Sequence, residues 1–163
     1  MKVKFIATTG VLAALYVAVT LLIAPFGFTE IQFRVSEMFN HLVAFNPRYM
    51  LGIVIGVFIS NLFSPLGMYD LVFGVGHSII TLSIFILICK FVKNTWARLI
   101  VNSFLFTFTM FIIAFELHLA VEIPWSLFFW TWFTCAVGEF AVLAVGAPIM
   151  YYLNKRLKFK DLI

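Results

Sequence analysis

Charge is scarce in this chain. Only 11% of its 163 residues are Asp, Glu, Lys or Arg, against roughly 25% in an ordinary soluble domain. Too few polar groups remain to cover a water-exposed surface, which excludes a soluble globular protein. Cysteine is nearly absent. Cys89 and Cys135 fall in different apolar runs, so neither a disulfide framework nor a metal site is expected, and both read as small apolar packing residues. HExxH, GxSxG, paired-aspartate and Walker-type motifs are also missing. His77 and Ser78 are neighbours, yet on a helix they point about 100° apart and make a poor base and nucleophile pair. No catalysis and no cofactor are therefore expected. Repeats, low-complexity tracts and Gly/Ser linkers are lacking too, which leaves a single domain over residues 1–163.

What is present is apolar: 64% hydrophobic residues, including 21 Phe, and a mean hydropathy of +1.10. The expected solvent is a bilayer. A hydrocarbon slab of about 30 Å takes about 20 helical residues per crossing, so the length allows roughly six. Proline supplies the punctuation, because it cannot continue a helix beyond the first turn. Pro25, Pro47, Pro65 and Pro124 bound apolar runs at roughly 5–24, 33–46, 48–63, 70–90, 98–117 and 125–153. Pro148 lies inside the last run and predicts a kink. Met1-Lys2-Val3-Lys4 and the first run read as an uncleaved first helix rather than a signal peptide.

The second run is short, and charge decides whether it crosses. With six crossings and the N-terminus inside, 10 of the 11 basic residues (Lys2, Lys4, Arg48, Lys90, Lys93, Arg98, Lys155, Arg156, Lys158 and Lys160) become cytoplasmic, and only Arg34 lies outside. Five crossings would place one of the two basic tails outside. The expectation is an all-α integral membrane protein with six transmembrane helices, a short second helix and both termini cytoplasmic. The basic residues act as topology signals, with no stripe for nucleic acid. Trp96, Tyr151 and Tyr152 on one side, and Tyr69, Trp125 and Trp130 on the other, fit interfacial belts, although any one ring also suits lipid or core.

Small residues recur where helices meet closely in lipid. Gly10, Ala14 and Ala18 line the first helix, Gly52, Gly56 and Ser60 the third, and Gly138, Ala141, Ala144 and Ala147 the last. Internal packing explains the last two stripes as readily as a partner does. Polar residues at membrane depth are more telling, since each costs several kcal/mol unless it faces a partner or a wet cavity. Arg34, Glu37, Asn40 and His41 share one face of the short segment, with Asn61, Asp70 and His77 at similar depth. Arg34 and Glu37 could equally form an i,i+3 ion pair, and His77 could be a core histidine. Glu139, near midplane, needs a partner, a ligand or a proton. Glu116 is expected to be solvated. The aromatic stretch 26–33 reads either as a lid, with Phe28, Gln32, Phe33 and Arg34 gating a pocket, or as a loop lying in the headgroups.

The run Gly10-Val11-Leu12-Ala13-Ala14-Leu15-Tyr16-Val17-Ala18 and the run Ile31-Gln32-Phe33-Arg34-Val35-Ser36-Glu37 resemble the substrate-binding S components of energy-coupling-factor (ECF) transporters, and among them the queuosine-precursor (QueT) family. The resemblance implies that Ala14 and Ala18 match an AxxxA motif, with Gly10 on the same stripe, that packs against a transmembrane coupling subunit driven by two cytoplasmic ATPases. It further implies a prokaryotic plasma-membrane protein that captures a deazapurine outside and releases it inside. A 7-deazaguanine such as preQ0 or preQ1 offers a planar ring and an amidic edge with paired N–H donors. A carboxylate accepts that pair and aromatics stack on the ring. Glu139 or Glu37 then reads the edge, Asn40, Asn61 or His77 meets the carbonyl, Trp130 stacks, and Asp70 meets any ammonium. Two alternatives stay open: an S component for another vitamin or heterocycle, and a noncatalytic membrane scaffold.

Overall fold

In the computed structural model, residues 2–23 and 33–163 are described, and among them every regular element is helical. The chain runs through α1 (Lys2–Leu22), a 3₁₀ segment (Val35–Ala44), α2 (Tyr49–Asn61), a π turn (Asp70–Gly74) leading into α3 (Val75–Cys89), α4 (Thr95–Thr109), α5 (Phe111–Ala120), a 3₁₀ turn (Trp125–Leu127), α6 (Phe128–Leu157) and α7 (Phe159–Leu162). Among the described residues, four stretches are long and apolar enough to cross a membrane: Lys2–Leu22, Asp70–Cys89, Thr95–Ala120 and Trp125–Leu157. α2 is apolar but shorter. α6 continues unbroken through Pro148, and its 30 residues extend about 45 Å, beyond the hydrocarbon thickness at the Lys155-Arg156 end.

The short second segment is wound as 3₁₀ rather than α. At about 2.0 Å per residue its ten residues reach about 20 Å instead of about 15 Å. Three residues per turn also stack positions i and i+3, so Glu37 and Asn40 fall in one column below Arg34. This segment is wedged in the bundle, packed against α6, α1, α4, α2 and α3.

Glycine sets two of these approaches. A Cβ on Gly56 would lie 2.6 Å from Tyr16 Cβ, and one on Gly146 would lie 2.7 Å from Met38 Cβ. α1 therefore lies close on α2, and α6 close on the 3₁₀ segment. The α4–α5 run breaks at Met110, where Thr109 bonds back to Leu105 and Phe106 carbonyls and the Trp132 indole donates to the Phe108 carbonyl at 3.0 Å. Such side-chain donors satisfy backbone groups that a broken helix would otherwise leave bare in lipid.

At the end of the bundle opposite Arg34, the chain termini meet. Tyr49 OH donates to the Phe159 carbonyl at 2.7 Å, Thr8 Oγ1 to the Leu162 carbonyl at 2.8 Å, and Lys4 Nζ to the Asp161 carbonyl. The Phe159 ring packs on Phe45 and Tyr49. Nearby, the Arg98 guanidinium donates to the carbonyls of Val92 (2.7 Å), Cys89 (2.9 Å) and Ala44 (3.1 Å). The guanidinium's fixed fork spreads these three donors over separate nitrogens, a reach that a compact ammonium does not match. Arg98→Met is expected to lower stability by about 2 kcal/mol, with Arg98→Lys recovering less than half, as read by thermal unfolding in detergent.

Candidate functional site

The bundle's polar residues collect in one buried cluster near the Arg34 end. Arg34 Nη2 pairs with Asp70 Oδ1 at 2.9 Å, and Nη1 donates to Asn61 Oδ1 at 3.3 Å. Asn61 Nδ2 donates to the Asp70 carbonyl at 2.8 Å, and Ser64 donates to the Asp70 carboxylate. Asp70 opens the π turn, a winding that leaves backbone groups out of register and recurs at functional sites. A Cβ on Gly74, at the close of that turn, would lie 2.5 Å from Asn61 Nδ2, so only glycine lets Asn61 reach Arg34 there.

One step deeper, Tyr16 OH donates to Glu37 Oε1 at 2.5 Å and Asn40 Nδ2 donates to Glu37 Oε2. Glu139 arrives from α6. It lies seven residues before Gly146, on the same helix face, and so is aimed at the 3₁₀ segment. Glu139 is 2% exposed, and its Oε1 has no hydrogen-bond partner. His77 Nε2 bonds Thr109 Oγ1 at 2.9 Å, its ring edge-on to Phe106. Arg34, Glu37, Gly74, His77, Met110, Ile113 and Glu139 together line a cavity of about 10 Å³, room for about one water. Below it, His41 Nε2 bonds the Leu143 carbonyl at 3.0 Å, and Asn102 meets His41 Nδ1 at 3.2 Å.

Of the residues singled out from sequence, Arg34, Glu37, Asn40, Asn61, Asp70, His77 and Glu139 are buried and come together here. Arg34, expected at the gate, is 8% exposed and reaches inward to Asp70. Phe33 is 40% exposed, and Phe28 and Gln32 lie outside the described residues. Trp130 is 64% exposed, its ring beside Phe133 on the outer surface of α6 and away from the cavity. Glu116 departs from expectation: it is fully buried, in electrostatic reach of Asp70 and Arg34. The break at Met110 restarts the helix there, and Glu116 shares an inward face with Ile113 and Leu117. Sequence reasoning missed Tyr16, Ser64 and Thr109 as partners. Tyr16 carried a usable signal, a hydroxyl in the middle of an otherwise apolar span.

A larger recess lies elsewhere, a groove of about 530 Å³ along Val72, Phe73, Ile80, Phe111, Phe115 and Trp125. Among the described residues lining it, His77 and the Trp125 indole carry the polar atoms, too little to orient a polar ligand. A second groove, about 250 Å³, runs between α1 and the α6–α7 end. On α1 itself Gly10, Ala14 and Ala18 are all exposed, whereas Gly52, Gly56 and Ser60 of α2 are buried against α1 and its surroundings.

The sequence profile described as QueT transporter matches residues 6–155. A protein of Lactococcus lactis subsp. cremoris (strain MG1363) named queuosine precursor transporter QueT is 37% identical over 165 residues, covering 96% of this chain and 95% of that one. No solved structure matches the chain.

Proposed function

The chain belongs to the QueT transporter family, and from that premise we propose that it captures a queuosine precursor, a 7-deazaguanine, outside the cell and delivers it inward as the S component of an ATP-driven ECF transporter. The observation that carries this reading is the buried cluster of Arg34, Glu37, His77 and Glu139 around a small cavity, with Asn40 bonded to Glu37 behind it. Polar side chains so deep in an apolar bundle are costly unless they pair with one another or meet a ligand. Carboxylates accept the paired N–H donors of a guanine-like edge, and Glu37 or Glu139 is placed to do so. With space for about one water, the cavity must open by several side chains before a bicyclic ring enters. The ring faces then meet Gly74, Met110 and Ile113, with His77 at the edge.

Six crossings accommodate the topology: the four long stretches, α2, and the 3₁₀ segment. An even number agrees with both chain ends meeting at one end of the bundle. Placing that end in the cytoplasm of a bacterial plasma membrane follows from its basic residues. Ala14 and Ala18, small and exposed on α1, suit close approach by a coupling subunit's helix, while ATP hydrolysis belongs to separate ATPase subunits.

The test is a thermal-shift and calorimetric panel of preQ0, preQ1, queuine, guanine and common vitamins on the purified chain. One-to-one binding of a 7-deazaguanine is expected. Binding of a vitamin alone would replace the cargo, and binding of none would favour the scaffold reading. In cells with the whole transporter, Ala14→Trp and Ala18→Trp should each abolish uptake and leave binding by the purified chain intact. Loss of binding in both variants would contradict a coupling role for that stripe.

A further inference from the structure

We infer that Glu139, with Glu37 beside it, forms a seat for a cation, so that the capture site takes a precursor bearing a protonated primary amine in preference to its neutral counterpart. This rests on the capture reading above and adds the charge of the cargo.

Acids outnumber bases in the cluster. Glu37, Asp70, Glu116 and Glu139 are all buried, and among the described residues Arg34 is the one buried Lys or Arg. Asp70 already holds Arg34 and Ser64, which removes it as the group for an incoming ammonium. Glu37 takes a donor on each oxygen, from Tyr16 and Asn40. Glu139 and Glu37 line the same cavity and lie in electrostatic reach of each other. Two carboxylates in one small buried enclosure oppose each other's charge, and Arg34, on the same wall, is already paired with Asp70.

The unpaired atoms point the same way. On the cavity wall Glu139 Oε1 is a buried atom lacking a partner, and behind Glu37 so is Asn40 Oδ1; both are acceptors. Asn40's orientation is fixed by its amide donation to Glu37, so the oxygen is the atom left over. A ligand complementary to this surface brings N–H donors and positive charge. An alkylammonium, with three donors and no acceptor, fits. A nitrile, an acceptor alone, would face oxygen lone pairs. The roles then divide: Glu37, held by Tyr16 and Asn40, faces the amidic edge of the ring, and Glu139 faces the amine substituent.

preQ1 and preQ0 share the deazaguanine ring and differ in carrying an aminomethyl or a nitrile group, which makes them the probes. By calorimetry on the purified chain, preQ1 is expected to bind about 10- to 100-fold tighter than preQ0, the range of a charge-assisted hydrogen bond. Glu139→Gln, which keeps the shape and removes the charge, should bring that ratio to within about threefold of one. Equal affinities in the unaltered chain would overturn the cation seat and leave the capture reading standing, and that comparison needs no variant to fold. A ratio that survives Glu139→Gln but collapses in Glu116→Gln would overturn the assignment to Glu139. Binding of neither probe would overturn the capture reading, and the seat with it.

Discussion

Arg34→Met is expected to be the most damaging single substitution in the bundle, lowering stability by about 3–5 kcal/mol, the range for removing one partner of a buried ion pair. The guanidinium is 8% exposed and touches Asp70 and Asn61. Its removal leaves Glu37, Asp70, Glu116 and Glu139 buried with no fixed cation among them. Asp70→Ala should cost less, because the freed guanidinium still lies in electrostatic reach of Glu37, Glu116 and Glu139. The double substitution Arg34→Met with Asp70→Leu should recover part of the loss, since both charges of the pair are then gone. Thermal unfolding of the three variants in one detergent reads the order directly. If Asp70→Ala were the more harmful, Arg34 would not be holding the wider group of acids.

The second large effect falls on Gly56. Its Cβ position lies 2.6 Å from Tyr16 Cβ and 2.9 Å from Tyr16 Cγ, so Gly56→Val must push α1 away from α2. Overpacking of that kind costs about 1–3 kcal/mol. It also carries the Tyr16 hydroxyl off Glu37, so loss of ligand affinity should accompany the fall in melting temperature. Gly10 provides the control, because a Cβ there meets nothing within 4 Å. Gly10→Val should leave stability within about 0.5 kcal/mol. A comparable fall in melting temperature for both would mean that α1 does not depend on Gly56 for its seat.

These two glycines show what the sequence can and cannot convey. Gly10-Ala14-Ala18 and Gly52-Gly56-Ser60 have the same four-residue spacing, yet the first stripe is exposed and the second buried. Spacing specifies that something small is needed for close approach, not whether the neighbour is in the same chain. Element existence was largely readable because Pro47, Pro65 and Pro124 interrupt long apolar runs; the 98–117 run, with no proline in it, is divided at Met110 into two helices. Winding was not. The 3₁₀ form of Val35–Ala44 and the π turn at Asp70 are imposed by packing and by side chains such as Asn61 that take up displaced carbonyls. The members of the site were legible, since charged and amide residues at membrane depth are few. Their pairing was not: Arg34 joins Asp70, 36 residues away, and Trp130, expected to stack on a ligand, turns outward. Glu116, expected to be solvated from its depth near the outer surface, lies instead on the inward face of α5 with Ile113 and Leu117, which depth alone does not reveal.

The position of the bound ligand decides between the buried polar cavity and the apolar groove as the capture site. A structure of the purified chain with a bound 7-deazaguanine measures that position. The prediction is a ring between the 3₁₀ segment and α6, its amidic edge within hydrogen-bond distance of Glu37 or Glu139, and the cavity widened by movement of the side chains that line it. A ring lodged instead in the groove along Phe111, Phe115 and Trp125, with Glu37 and Glu139 untouched, would contradict it.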